Sequence, residues 1–198
     1  MLIRLLCAAA LIVPLRAGAQ WHLALLGGTA TTQGDSRDTI AADHAEIRAD
    51  RITVATLAIE RAGDAWRFGA ELRRLTGDLS EVTASASIDA RGVVSAWGGA
   101  ITLRRRIAAG SGAELWTLLG AGADRWSFDL SGSDPRWRLA LHAALESEFP
   151  VGGDWSVLVR AGVTAGPSIF RDDEVAEGFT PRMALRPGYS LGLARRWR

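Results

Sequence analysis

The stretch RWRLALHAALESEF, residues 136–149, decides the fold because apolar and polar side chains alternate along it. One set of alternate positions is mostly apolar: Trp137, Leu139, Leu141, Ala143, Leu145 and Phe149. The other set holds most of the polar groups: Arg138, Ala140, His142, Ala144, Glu146 and Glu148. A repeat of two residues is that of a β-strand, whose successive side chains point to opposite faces. The stretch therefore predicts a strand with one apolar and one polar face.

The same alternation recurs along the chain and predicts eight strands. Their expected bounds are residues 21–30, 51–61, 66–75, 92–107, 113–130, 136–149, 155–165 and 189–197. Two of them fit less well. Residues 51–61 show no clear alternation. Residues 113–130 change phase near Gly120 to Gly122, which predicts either a β-bulge or a strand that is apolar on both faces.

The connections between these strands alternate in length. Residues 31–50, 76–91 and 166–188 form long connections, residues 62–65, 108–112 and 150–154 form short ones, and residues 131–135 are intermediate. Short periplasmic turns and longer outer loops on an even number of strands are typical of bacterial outer-membrane barrels. The pattern also predicts that both termini lie in the periplasm. Within the first long connection, alanines between residues 36 and 50 favour a short helix.

The tryptophans lie near the ends of the expected strands, as an aromatic girdle at the membrane interface would require. Five of the eight would share the periplasmic rim: Trp21, Trp66, Trp116, Trp155 and Trp197. Trp97, Trp126 and Trp137 would approach the outer rim. No stretch of the chain after the first residues is apolar enough for a membrane helix. A membrane role therefore requires strands, and only a closed barrel satisfies every backbone group in lipid.

The N-terminal residues predict export. Arg4 precedes an apolar run from Leu5 to Leu15, and Ala17-Gly18-Ala19 is a cleavage site of the A-x-A type. We therefore expect residues 1–19 to be a cleaved signal peptide and residues 20–198 to be one outer-membrane β-barrel domain. The single cysteine, Cys7, would leave with the signal peptide, so neither a disulfide nor a cysteine metal site is expected.

Charge argues against a nucleic-acid partner. The chain has 23 lysine and arginine residues, all of which are arginine, and 22 acidic residues, for a formal net charge of +1. Binding to a phosphate backbone would favour a clear basic excess.

These features together predict an all-β fold, an eight-stranded antiparallel up-and-down transmembrane β-barrel with short periplasmic turns and longer outer loops. In architecture the chain resembles the small outer-membrane barrels of the OmpA transmembrane and OmpX type. Its final run, residues 189–198, is similar to the terminal strand that such proteins present to the barrel-assembly machinery, although Arg198 replaces the usual last aromatic residue. The resemblance implies a monomer in the outer membrane of a Gram-negative bacterium, in contact with outer-membrane lipids and lipopolysaccharide.

The polar faces of the strands would line the lumen, so candidate functional side chains are expected there. Eight strands enclose a space that side chains just fill. The charged or titratable residues expected there are Glu71, Arg73, Arg104, Arg106, His142, Glu146, Glu148 and Arg160. The favoured interpretation is a network of ion pairs that closes the lumen, because buried charges must be paired. The alternative is a narrow polar pathway or a ligand site.

An enzyme is the less favoured hypothesis, since some eight-stranded barrels are lipid A deacylases or acyltransferases. In PagL-type deacylases a histidine and a nucleophilic serine lie two residues apart on one strand. Here Ala144 follows His142 at that spacing, and Ser147 projects to the opposite face. We therefore expect no catalytic residue, no cofactor and no bound metal. A lipid-modifying hydrolase or acyltransferase remains the enzymatic alternative.

The expected outer loops are acidic in two places, residues 35–50 and 172–177, without the spacing of a calcium loop, so solvated loop charge is the favoured interpretation. Two roles then remain open. The barrel either has a structural or surface-interaction role with a closed lumen, or it is a narrow channel or accessory export factor. A soluble lipocalin-like barrel is disfavoured, because its apolar face would point inward and leave the girdle tryptophans without a purpose.

Overall fold

A computed structural model describes residues 20–38, 45–82, 87–110, 112–129, 134–172, 174–175 and 179–197. The expected signal peptide lies outside these residues. The described residues form ten strands: β1 (Gln20–Ala30), β2 (Ser36–Asp38), β3 (Glu46–Ala62), β4 (Trp66–Val82), β5 (Ser87–Ala109), β6 (Glu114–Phe128), β7 (Arg136–Gly152), β8 (Trp155–Pro167), β9 (Phe179–Pro181) and β10 (Met183–Trp197). Among the described residues, no helix is long and apolar enough to cross a bilayer.

Eight of these strands close into a barrel. β1 pairs with β10 on one side and with β3 on the other, so the sheet has no free edge along β1. Around the ring the order is β1, β3, β4, β5, β6, β7, β8 and β10, and every pairing is antiparallel. The predicted all-β, eight-stranded, up-and-down barrel is therefore confirmed.

The two ends of the barrel differ in their connections. One end, here called the turn end, carries the short links between β3 and β4, β5 and β6, and β7 and β8. Trp21 and Trp197 face each other across β1 and β10, so the first and last described residues lie at this end. The opposite, loop end carries the longer connections. There β2 and β9 pair with each other, and β2 also pairs with β3.

Strands extend into the regions expected to be loops. β4 and β5 continue pairing up to Val82 and Ser87, so most of the second long connection is a hairpin that extends the barrel wall. The helix expected within residues 36–50 is wrong for its described parts, because Ser36–Asp38 and residues 46–50 are strands. Residues 39–44 lie outside the described part of the chain. Pairing with β4 and β9 outweighs the weak helix preference of the alanines.

β6 settles the ambiguity left by its sequence. Its pairing with β7 runs without a register shift from Glu114 to Trp126, so the expected bulge near Gly120 is absent there. Even-numbered side chains of β6 point inward along its whole length, and they include Trp116, Leu118 and Trp126. The strand is thus apolar on both faces. Register shifts lie elsewhere, near Arg51, Gly77, Ile107 and Val151.

The two surfaces of the wall have opposite character. The outside is apolar, and Leu139 and Leu141 of β7 are each more than half exposed. The inside of the turn-end half holds buried charges, among them Glu60, Arg104 and Glu146. An apolar exterior and a polar interior are the pattern of a barrel whose surrounding solvent is lipid.

The loop-end half of the lumen is filled by an apolar core. Six of its buried residues come from β3, β4, β5 and β6: Ala49, Ile52, Leu75, Val94, Ala96 and Trp126. The remaining two, Ile169 and Phe170, come from the connection after β8. This connection therefore folds back into the barrel mouth, and we call residues 168–170 the loop plug.

Candidate functional site: the barrel lumen

The centre of the lumen is organised around Arg104 on β5. Its guanidinium lies 2.9 Å from the carboxylates of Glu60 and Glu146 and 3.0 Å from that of Glu71. All four side chains are buried, and they come from β3, β4, β5 and β7. One cation thus joins strands from opposite parts of the ring across the bore.

Arg160 on β8 adds a second cation to the same group. It lies 3.0 Å from Glu71 and 2.9 Å from Glu146, the two carboxylates that it shares with Arg104. Two guanidinium groups and three carboxylates therefore form one connected cluster. Such a cluster replaces the water that each charge would otherwise need, since a buried charge is tolerated only when it is paired and hydrogen-bonded.

A second cluster lies nearer the turn end. Glu148 on β7 is buried and lies 2.7 Å from Arg67 and 2.8 Å from Arg196. His22 connects the two clusters, because its ring nitrogens lie 3.4 Å from Glu60 and 3.6 Å from Glu148. Glu114 accepts from Arg67 at 3.4 Å and from Arg196 at 3.1 Å. The ionic layers thus continue to the turn end of the barrel.

Seven of the eight residues expected in the lumen are buried there or line it: Glu71, Arg73, Arg104, His142, Glu146, Glu148 and Arg160. Arg106 differs, because its side chain keeps 33% of its surface exposed and lies 3.4 Å from Glu114. Glu146 lies 2.9 Å from Arg104. Glu148 pairs with Arg67 and Arg196.

Sequence reasoning missed several members of the network. Glu60 was missed because the sequence of its strand shows no clear alternation. In the structure its neighbours Leu57 and Ile59 point outward and Glu60 points into the lumen. Arg67 shares the parity of Glu71 on β4, and this signal could have identified it. His22 shares the inward parity of Ala24 and Leu26. The partners of these groups lie on distant strands, so no sequence spacing joins them.

His142 lies in a separate layer between the ionic clusters and the apolar core. Its Nδ1 is 2.8 Å from the Thr164 hydroxyl and 2.7 Å from the guanidinium of Arg73, which also binds Asp124 at 2.7 Å. A hydroxyl beside an imidazole has the geometry of a nucleophile and its base. Here, however, the arginine N–H occupies the lone pair that a general base needs. His142 Nδ1 therefore accepts from Arg73, and the Thr164 hydroxyl lies beside the same, already engaged lone pair.

A close approach fixes the position of Asp124. Gly98 on β5 faces it across the strand pair, and a Cβ at this glycine would come within 1.9 Å of the Asp124 Oδ1. A larger residue would displace the carboxylate that holds Arg73. A side chain at position 98 would therefore act on Arg73 through Asp124.

The loop plug is held by polar contacts beside its apolar ones. The backbone amide of Ile169 donates to Asp35 Oδ1 at 3.0 Å, and Arg138 donates to the Phe170 carbonyl at 2.9 Å. Asp35 is fully buried, and this burial raises its pKa above the usual range, against the hydrogen bonds from Ser168 and Ile169. A carboxyl at the loop end is thus part of the packing of the barrel mouth.

The acidic residues of the loop end engage partners of the chain itself. Glu46 accepts from the Gly34 amide and lies 3.5 Å from Arg48. Glu174 pairs with Arg136 and accepts from the Arg171 amide, and these bonds lower the pKa of Glu174 although burial opposes them. The expectation of solvated loop charge is wrong for Asp35, which is fully buried, whereas Glu174 is exposed and pairs with Arg136. Among the described residues, no three His, Cys, Asp or Glu side chains are grouped as a metal site would need.

The girdle prediction is wrong for two tryptophans. Trp116 and Trp126 are 1% and 0% exposed, and both point into the lumen. Trp116 lies under the guanidinium of Arg67 at 3.8 Å and donates to Glu114, whereas Trp126 belongs to the apolar core. β6 is apolar on both faces, so its sequence could not show which face is outside. The remaining six point outward: Trp21, Trp66, Trp97, Trp137, Trp155 and Trp197.

Comparisons with known proteins bear on the fold. No protein-family model matches the sequence, and no curated protein matches it. Neisserial surface protein A is similar in structure, with a TM-score of 0.57 and 12% identity over 90% of this chain and 99% of that one. The attachment invasion locus protein Ail of Yersinia pestis gives a TM-score of 0.47 with 12% identity, over 91% of this chain and 100% of that one. The outer membrane protease OmpT of Escherichia coli gives 0.46 with 8% identity, over 91% and 97% of the two chains.

Identities this low speak for the fold alone. The structural similarity to Neisserial surface protein A, together with the closed ring, the apolar exterior and the charged interior, shows that this chain has the fold of the small outer-membrane β-barrel proteins.

Proposed function

We propose that the protein is an integral outer-membrane barrel whose lumen is closed and whose role is structural or in surface interaction. The observation that carries this proposal is the group around Arg104, in which one buried cation binds three carboxylates from three other strands. An ion crossing the lumen would have to break these pairs. Separating them leaves uncompensated charges in a medium of low dielectric constant.

The loop plug supports the same conclusion from the other end. Ile169 is fully buried, and it fills the barrel mouth together with Phe170 and Trp126. An apolar constriction resists wetting and opposes the passage of ions. The lumen is therefore obstructed twice, once by paired charges and once by packed apolar side chains. Function then falls to the outer wall and the loop end.

The surroundings of His142 favour a non-enzymatic role. A general base must be free to accept the proton of its nucleophile. Arg73 donates to the same Nδ1 atom that faces Thr164, so the imidazole lone pair is already engaged.

Conductance of the refolded protein in a planar bilayer tests the closed lumen. We expect no stable channel openings for the unmodified protein. A variant with Ile169→Ser and Phe170→Ser should also stay closed, because the ionic layers below the plug remain. Large and stable conductance in the unmodified protein would reject the closed lumen and favour the channel alternative.

Cysteine labelling on intact cells tests the orientation. Asp172 is exposed at the loop end, and Asp154 is exposed in a short connection at the turn end. We expect an impermeant thiol reagent to label Asp172→Cys on intact cells. The matched variant Asp154→Cys should react only after the outer membrane is broken. The reverse result would show that the barrel is inserted the other way.

A further inference from the structure

We infer that the outer wall of the barrel carries a binding site for the phosphate of an outer-leaflet glycolipid. The site is formed by Arg74, Trp97, Arg125 and Trp137, which we call the Arg-Trp row. The inference rests on the proposed membrane location and orientation. It goes beyond them by naming the lipid group that is bound, a phosphate, and the residues that hold it.

The row follows directly from strand register. Arg74 on β4 is paired with Trp97 on β5, Trp97 is paired with Arg125 on β6, and Arg125 is paired with Trp137 on β7. All four side chains have the outward parity of their strands. Trp97 and Trp137 are more than half exposed, Arg125 is exposed, and Arg74 is half-buried. Cations and indole rings thus alternate across four neighbouring strands.

The two cations of the row lack acidic partners. Among the residues that the structure describes, no carboxylate lies within 4.0 Å of Arg74 or Arg125. Arg74 contacts the Trp97 ring at 5.1 Å and donates to the Ala96 carbonyl at 3.4 Å. This pattern differs from that inside the barrel, where Arg67, Arg104 and Arg160 each bind at least two carboxylates. Two guanidinium groups side by side on the outer wall, without a carboxylate from the described residues, favour binding of an external anion.

The spacing of the cations suits one phosphate. Paired strands lie about 4.8 Å apart, so the Cα atoms of Arg74 and Arg125 are separated by roughly 10 Å, with Trp97 between them. Each arginine side chain is long enough to reach the middle of that gap. Guanidinium groups bind phosphate oxygens in a bidentate manner. A phosphomonoester, which carries up to two negative charges, balances two guanidinium groups better than a phosphodiester does.

Small residues below the row provide room for an acyl chain. Continuing toward the turn end, the outward positions are Gly99 on β5 and Ala123 and Ala121 on β6. Leu139 and Leu141 of β7 stand beside them and are strongly exposed. The result is a shallow trough with an apolar rim that begins beneath the cations. A lipid with its phosphate on the row would lay a hydrocarbon chain along this trough.

The height of the row places it at the membrane surface. The outward apolar residues of β7 run from Trp137 to Phe149, which spans roughly 30 Å along the barrel axis at a usual strand tilt. This slightly exceeds the apolar band of about 25 Å that outer-membrane barrels present to lipid, so the two ends of the run lie at the edges of the hydrocarbon layer. Trp137 is therefore at the loop-end boundary of that layer, where phosphates lie. With the loop end outside, the phosphate belongs to the glycolipid of the outer leaflet.

Native mass spectrometry of the refolded protein with bisphosphorylated lipid A tests the site. The wild-type protein should retain the lipid, and Arg74→Gln with Arg125→Gln should reduce retention by roughly tenfold or more, since two charge-assisted contacts are lost. The matched control is Arg105→Gln with Arg195→Gln. These arginines also lie over tryptophans, Trp66 and Trp155, at 5.5 Å, but at the turn end. The control should retain the lipid as the wild-type protein does.

Two results would overturn the inference: equal retention by both double variants, or equal retention of a fully dephosphorylated lipid A by the wild-type protein. If the first double variant does not fold, as read by the heat-dependent gel shift, Arg125→Gln alone supplies the measurement, since this side chain is exposed. Conductance separates the two proposals. A closed barrel that retains no lipid refutes only this site, whereas an open barrel refutes the closed lumen.

Discussion

The two halves of the lumen solve the same packing problem with different chemistry. The turn-end half is filled by charges, with Arg104, Arg160 and Arg67 each held by carboxylates from other strands. The loop-end half is packed mainly by apolar side chains around Trp126 and Ile169, with Asp35 and Arg186 buried beside them. Both halves exclude water, yet only the first depends entirely on residues of the strands of the barrel wall.

This difference sets how each half responds to change. Strand residues are fixed by the ladder of backbone hydrogen bonds, so the ionic half forms together with the barrel. The apolar half includes the loop plug, which must dock from outside, and docked loops open more readily than strands. We therefore expect large effects on global stability from the ionic half and mainly local effects from the apolar half.

The largest effect is expected from Arg104→Met. It would leave Glu60, Glu71 and Glu146 without their shared cation, and removing one partner from a buried ion pair costs about 3–5 kcal/mol. Urea-induced unfolding from lipid vesicles, followed by tryptophan fluorescence and the gel shift, measures this loss. Arg106→Met on the same strand is the control. Its side chain is one-third exposed, so we expect less than about 1 kcal/mol.

Glu146→Ala refines this comparison within the ionic half. Arg104 would keep Glu60 and Glu71, and Arg160 would keep Glu71. Because both cations retain a partner, the loss should be clearly smaller than that for Arg104→Met in the same unfolding assay. Equal losses in the two variants would show that the cluster does not share its charges as the distances indicate.

An intermediate effect is expected from Ile169→Ala in the loop plug. Removing a buried isoleucine side chain costs about 2–5 kcal/mol, and the lower part of that range is expected because the loop can adjust. The loss should appear as faster cleavage by trypsin after Arg171 or Arg182, both of which are exposed. The midpoint of barrel unfolding should change little. A large shift of that midpoint would mean that the plug and the barrel unfold as one unit.

The smallest effect concerns pH and Asp35. Its raised pKa means that the folded protein favours the neutral carboxyl, so docking of the plug is most stable in acid and weakens as pH rises through that pKa. Asp35→Asn keeps an acceptor for the Ile169 amide and removes the ionisation. Hydrogen exchange of that amide, corrected for its intrinsic pH dependence, should change with pH in the wild-type protein only. The difference should stay below about 1 kcal/mol, because one hydrogen bond is involved. This role would be contradicted if amide exchange in Asp35→Asn depended on pH as strongly as it does in the wild-type protein.

The sequence determined the barrel because alternation is a local property. Residues 136–149 show their two faces without any knowledge of their neighbours, and the lengths of the connections show which ends lie together. For the same reason the outward positions of Leu139, Leu141 and Trp137 follow from the sequence. Seven of the lumen residues were also identified by parity alone.

Only the tertiary structure decided which charges meet and what closes the mouth. Arg104 and Glu60 lie 44 positions apart, and their pairing depends on the closure of the ring across the bore. The faces of Trp116 and Trp126 were undetermined because both sides of β6 are apolar. The docking of Ile169 also left no periodic signal, since a loop residue has no strand parity to place it. The alternation along one strand determines the face to which a side chain points, whereas the closure of the barrel determines which side chain it meets.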